Sequence, residues 1–117
     1  MSLTSDLVRG HTESIILARL MGKDSYGYEI NKAVAAKTRN QYELKEATLY
    51  SAFRRLEAGG YIASYWGDAE QGARRRYYAI TPLGRQCFAE SLADWAQAKA
   101  LIDSLLAQED PQDPHLQ

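Results

Sequence analysis

Phe88, Leu92, Trp95, Lys99, Ile102 and Leu106 recur at alternating intervals of four and three residues near the C-terminal end. That period, about 3.5 residues, is the mark of a long helix whose apolar seam faces a second helix. A chain of 117 residues is one domain in length. Such a domain can hardly cover the whole seam itself, so the spacing predicts a homodimer joined through Phe88, Leu92, Trp95, Ile102 and Leu106. Thr81-Pro82 marks the start of this helix, with threonine as N-cap and proline as first helical residue.

Upstream of the seam the apolar spacing is that of short elements. Ile16 and Leu20, with Ile15, Leu17 and Met21, read as one helix closed by Gly22. Ser25 is the expected N-cap of a second, in which Tyr26, Ile30 and Val34 share a face. In a third, Leu49, Phe53 and Leu56 form the buried stripe, while Thr48, Ser51, Arg54 and Arg55 lie opposite and Gly59-Gly60 ends the helix. The β-favouring run Tyr61–Trp66, a glycine-flanked polar loop, and the run Arg74–Ile80 then read as a hairpin. The predicted fold class is mainly α with a small β-hairpin: a winged helix-turn-helix over residues 1–81 and a C-terminal dimerisation helix over 82–108. Residues 109–117, with Pro111 and Pro114 among acids and glutamines, read as a disordered tail.

Charge distribution says more than the formal net charge of −1. Residues 39–85 carry eight lysines and arginines against five acids, whereas residues 86–117 carry one lysine against six. A basic middle suits a face turned to phosphates, and an acidic end suits a subunit contact or solvent. The N-terminal residues lack the apolar core of a signal peptide, and no apolar run is long enough to span a membrane. The one cysteine, Cys87, has no intramolecular partner, so a reducing cytoplasm is the expected location. His11 and His115 are far apart in sequence, and no Cys, His or carboxylate cluster has ligand spacing. No catalytic role, cofactor or metal is expected.

The motifs Asp24-Ser25-Tyr26-Gly27-Tyr28-Glu29-Ile30, Ala47-Thr48-Leu49-Tyr50, Arg55-Leu56-Glu57, Gly60-Tyr61-Ile62, Arg74-Arg75-Arg76-Tyr77-Tyr78 and Thr81-Pro82-Leu83-Gly84 occur in this order. With Ser5–Thr12 before them, they resemble the short-C-terminal branch of the PadR family of transcriptional regulators, over residues 5–106. Two positions depart from the pattern: Ser51 stands where many relatives carry proline, and Asp68 and Glu70 make the hairpin tip acidic. The resemblance implies a regulator, most simply a repressor, whose dimer reads a pseudo-palindromic operator in double-stranded DNA. It further implies that a flat aromatic effector stacks on Trp95 between subunits. From its place on the seam alone, an interface anchor is the preferred role for Trp95.

In a winged helix the third helix enters the major groove and the hairpin flanks it. Thr48, Tyr50, Ser51, Arg54 and Arg55 are therefore the expected DNA contacts of the helix, and Arg74, Arg75 and Arg76 those of the wing. Strand alternation sends Arg74 and Arg76 to one face and Arg75 to the other. Arg74 and Arg75, nearer the tip, are the preferred phosphate contacts; salt bridges across the hairpin to Asp68 and Glu70 are the competing use. Tyr26, Tyr28, Tyr42, Tyr61 and Tyr65 read as packing residues. A winged-helix module that binds protein in place of DNA is the rival reading, favoured by the acidic balance and the acidic wing tip.

Overall fold

The computed structural model describes residues 3–67 and 74–109. The hairpin tip with Asp68 and Glu70, and all of the expected tail except Glu109, lie outside the described residues. Five helices and three strands follow in the order α1 (Leu3–Arg9), α2 (Thr12–Gly22), β1 (Ser25–Tyr26), α3 (Gly27–Lys37), α4 (Glu46–Ala58), β2 (Ile62–Trp66), β3 (Arg76–Ile80) and α5 (Pro82–Leu106). No helix among the described residues is long and apolar enough to cross a membrane.

The apolar stripes read from the sequence meet in one core. Ile16, Leu17 and Leu20 of α2 pack with Ile30 of α3 and with Leu49, Phe53 and Leu56 of α4, all essentially buried. Tyr78 of β3 closes the core from the sheet side, its ring stacked on Phe53 with centroids 3.9 Å apart. Between α3 and α4 the chain has no regular backbone partner, and the Asn31 side chain supplies one. Its amide donates to the Leu44 carbonyl at 2.7 Å and its oxygen accepts from the Leu44 N–H at 2.8 Å. Both polar groups of a buried residue are thereby satisfied, and the entry to α4 is pinned.

Two elements go beyond the expected helices and hairpin. β1 pairs antiparallel with β3, giving a three-stranded sheet in the order β1-β3-β2. This corrects the assignment of Ser25 as a helix N-cap. Ser25 belongs to β1, fully buried, with its hydroxyl donating to the Lys23 carbonyl, while Tyr26 occupies the N-cap position of α3. Pairing with β3 keeps the backbone extended one residue longer, and Glu29 then accepts from the Tyr26 N–H. The second addition is α1. A seven-residue helix is too short to persist in water unaided, and its Leu3 and Leu7, one turn apart, are largely exposed.

The junction between the sheet and α5 is tight. Gly60 takes a φ of +80°, the left-handed conformation that ends α4 and turns the chain into β2. The Thr81 hydroxyl accepts from the Gly84 N–H at 3.1 Å, capping α5 as expected, and donates to the Gly60 carbonyl at 2.7 Å. Phe88 is half-buried against the core of its own domain, so the open part of the seam begins at Leu92. From there α5 projects away, and the described chain measures 70 × 30 × 21 Å.

Gly84 decides how closely α5 docks. A methyl group there would overlap the Tyr61 carbonyl oxygen and lie 2.7 Å from Ile80 Cγ1. Gly84→Ala is expected to lower unfolding free energy by about 1–3 kcal/mol, read from the urea midpoint. Gly22→Ala, whose added methyl meets nothing within 4 Å, should stay within about 0.5 kcal/mol of the parent.

Candidate nucleic-acid interface

The buried stripe of α4 determines what its other face can offer. With Leu49, Ala52, Phe53 and Leu56 turned inward, Tyr50, Arg54 and Arg55 are exposed and Thr48 and Ser51 are half-buried. The two arginines differ. Arg55 donates to the Ser51 hydroxyl at 2.9 Å and lies 3.7 Å from the Glu13 carboxylate of α2. Arg54 has no hydrogen-bond or ion-pair partner among the described residues, so its five donors face solvent. Tyr50 packs edge-on against Phe53, and a shallow cleft beside it is lined by Gly27, Tyr28, Asn31 and Glu46.

Thr48 lies in a different cleft, of about 190 Å³, with Ser5 and Arg9 of α1 and with Tyr42, Glu43 and Lys45 before α4. Arg9 and Lys45 were not singled out in the sequence. Arg9 is 39 residues from Thr48, and only the packing of α1 beside the start of α4 brings them together. Tyr28, read as packing, is 68% exposed at the start of α3. No signal short of the fold distinguishes it from its buried neighbours.

On the wing, the three arginines divide as strand alternation requires. Arg74 and Arg76 lie over the Trp66 ring, 5.5 and 6.0 Å from its centroid, and Arg75 lies over the Tyr26 ring at 4.9 Å. β3 begins at Arg76, so Arg74 and Arg75 precede the paired strand, where Gly67 N–H donates to the Arg75 carbonyl at 2.8 Å. Arg76 is also tied down by polar contacts. It donates to the Ser64 hydroxyl at 2.8 Å and pairs with Glu57 at 3.4 Å, while Ser64 donates to the same carboxylate at 2.6 Å. This triad joins the end of α4 to both long strands.

Across the outer face of the sheet, cross-strand register places Tyr26, Tyr77 and Tyr65 in one row. Tyr77 meets Tyr26 edge-on at 5.3 Å and stacks with Tyr65 at 5.7 Å. The row ends on Asp24, which accepts from the Tyr65 hydroxyl at 2.6 Å. That hydrogen bond to a carboxylate is the main reason the Tyr65 phenol is pushed above its ordinary value of 10.0. Tyr78, on the inner face, is raised chiefly by burial.

Trp95 stands apart from this surface. It is 48% exposed on α5, and His11 meets its ring edge-on at 4.9 Å. Ser14, Ser91, Asp94 and Ala98 complete a shallow cleft of about 330 Å³ around the pair. Lys99, the polar interruption of the seam, is held by Asp103 one turn on. Leu92, Ile102 and Leu106 are exposed in the single chain, as is Leu105 beside them.

Known proteins share this fold. Residues 16–90 match the model of the transcriptional regulator PadR-like family. A protein of Lysinibacillus sphaericus is 46% identical over 99 residues, covering 85% of this chain and 91% of its own length. Among solved structures, a transcriptional regulator from Clostridium thermocellum superposes with a TM-score of 0.81 at 47% identity, covering 88% of this chain and all of that one. A PadR family transcription regulator from Clostridium difficile R20291 gives a TM-score of 0.71 at 33% identity, covering 83% and 99%.

The Tyr65–Asp24 contact makes the sheet's outer row titratable. Tyr65 should ionise above the ordinary tyrosine range, because the Asp24 carboxylate accepts its proton in a hydrogen bond and repels the phenolate. Asp24→Asn should bring that ionisation down toward 10.0, as followed by ultraviolet difference spectroscopy. An alkaline titration that is unmoved by the substitution would show the contact to be absent in solution.

Proposed function

This chain belongs to the transcriptional regulator PadR-like family, a family of DNA-binding regulators and not of enzymes, and from that premise we propose that it is a repressor acting as a homodimer on a pseudo-palindromic operator. The observation that carries the reading is the unpartnered Arg54 at the centre of the exposed α4 face, flanked by Tyr50, Ser51 and Arg55. An arginine so presented can form a bidentate contact to guanine in the major groove. Thr48 and Tyr50 offer hydroxyls to flanking phosphates, and Arg74 and Arg75 bring positive charge alongside from the wing. Arg76, held by Glu57 and Ser64, serves more to set the wing against α4 than to grip DNA.

A second copy is the natural cover for the rest of the apolar surface. Leu92, Trp95, Ile102 and Leu106 of α5 are open, and so are Leu3 and Leu7 of α1. Self-association there would bury all of them and hold the two α4 helices at a fixed separation, as a two-fold operator requires. Phe88, at the domain end of the seam, then supports α5 from within its own subunit.

Binding to a duplex of the DNA upstream of its own coding region, measured across a salt series, tests the function. Affinity should fall steeply, by about 0.9 in log–log slope for each phosphate neutralised. Arg54→Ala should cost about 1–3 kcal/mol and relax base preference at one position. Unchanged binding by the Arg54→Ala, Arg55→Ala double variant, with its circular dichroism intact, refutes the assignment of the reading face. Absence of binding even at low salt favours the rival, a winged-helix module for protein partners.

Release from DNA is proposed to follow entry of a flat aromatic effector beside Trp95. The cleft with His11 supports it, since a guest could replace the imidazole against the indole. The guest must bind the DNA-free arrangement more tightly than the DNA-bound one, or it shifts nothing. With Trp66→Phe, Trp95 is the sole tryptophan. Saturable quenching of its fluorescence by planar aromatic compounds, accompanied by loss of DNA binding, is the expected result. No quenching across a broad panel leaves Trp95 an interface anchor.

A further inference from the structure

We infer that Tyr26 is a positioning residue for DNA binding: its ring supports the Arg75 guanidinium as a phosphate contact at the loop end of the wing strands. This rests on the reading of the chain as a duplex-DNA binder and adds to it a residue outside both the α4 face and the hairpin. Three observations converge. Arg75 lies 4.9 Å from the Tyr26 ring centroid, and its side chain has no hydrogen-bond or ion-pair partner among the described residues. Its backbone is fixed by the bond from Gly67 N–H. Tyr26 itself is not a loose surface ring, because it stands in β1 opposite Tyr77 and continues directly into α3.

The physics of the contact explains why a ring is the right support. A cation over an aromatic face satisfies its attraction through the π system and leaves the guanidinium N–H groups, which point outward in its plane, free for a phosphate. A carboxylate in the same place would occupy those donors. Arg76, which also lies near an aromatic ring, differs in that its Nη2 is drawn to Glu57 and Ser64 and is spent on the protein. Arg75 therefore keeps its hydrogen-bonding capacity while losing much of its rotational freedom, which lowers the ordering cost of gripping DNA.

The geometry also couples the wing to the helices. Tyr26 precedes α3, whose first turn, with Gly27 and Tyr28, borders the cleft beside Tyr50 of α4. A phosphate held by Arg75 is thus referred through Tyr26 to the same rigid body that carries the α4 face.

A double-mutant cycle on the full-length protein tests this, with fluorescein-labelled duplex from upstream of its own coding region and a scrambled duplex of equal length. Arg75→Ala should weaken both duplexes and reduce the salt slope by about 0.9 per lost phosphate contact. Tyr26→Leu should weaken both about two- to fivefold, the worth of an exposed cation–π contact, and should have no further effect in the Arg75→Ala background. Tyr26→Phe, which keeps the ring, should bind as the parent does. Arg75→Lys keeps the charge but not the planar fork of donors, and should bind both duplexes more weakly than the parent. The inference is overturned if Tyr26→Leu costs the same with and without Arg75, if Tyr26→Phe is as weak as Tyr26→Leu, or if Arg75→Lys binds like the parent. If Arg75→Ala changes nothing while Arg54→Ala does, the positioning role fails and the DNA-binding function stands. If the parent binds neither duplex at any salt, both fall.

Discussion

The stack of Phe53 on Tyr78 is the contact through which the two halves of the binding surface are held to one another. Phe53 belongs to the helix that presents Arg54, and Tyr78 belongs to the central strand of the wing sheet. With ring centroids 3.9 Å apart and both residues nearly fully buried, the pair leaves little freedom for the wing to tilt against α4. Opening it would cost the burial of two aromatic rings, each a large apolar surface. The Glu57–Ser64–Arg76 triad repeats the connection at the surface with polar atoms. A surface ion pair contributes little stability by itself. Its use here is directional, because it fixes where the wing's inner arginine points once the core has set the distance.

Three further joints bring the remaining elements into register, and each satisfies backbone groups that the fold would otherwise leave unpaired. Asn31 imitates a strand partner for Leu44, so α4 starts at a defined point relative to α3. Thr81 bonds both the turn at Gly60 and the first turn of α5, so the long helix leaves the domain in one direction. Tyr26 ends β1 and begins α3, so the sheet and the second helix share a residue. Direction matters most for α5. An error of a few degrees at Gly84 would grow along a 25-residue helix before reaching Leu106, and in the proposed dimer the spacing of the two α4 helices would change with it.

The parts of this architecture that were legible in the sequence are those with a long period or a rigid punctuation. The Leu49–Phe53–Leu56 stripe, the Gly59-Gly60 stop, the Thr81-Pro82 start and the long helix α5 all stand where periodicity and capping chemistry put them. The failures are short elements. β1 has two residues, and its pairing to β3 comes from a strand some fifty residues away, so Ser25 looked like a cap. α1 offers only Leu3 and Leu7 as an apolar repeat, less than any helical pattern needs. For the site, residue types on α4 could be read from the helix face, but not which arginine was free. That Arg55 turns to Ser51 and Glu13, and Arg76 to Glu57 and Ser64, depends on tertiary neighbours. The tyrosines read as packing residues are better divided: Tyr26 and Tyr65 join Tyr77 in a surface row that also supports an arginine.

An overall charge of −1 and a DNA-binding function are compatible because the fold segregates charge by use. Cations with protein partners, such as Arg76 and Lys99, serve as joints and add little to the field that a phosphate meets at contact distance. Arg54 and Arg75 carry uncompensated charge among the described residues, one on α4 and one at the wing. Asp94, Asp103 and Glu109 are collected on and after α5, on a different element from Arg54 and Arg75. Exposed charges separated by more than about 8 Å are largely screened at physiological ionic strength, whereas an arginine in contact with a phosphate is screened far less, so where the cations sit matters more than the total.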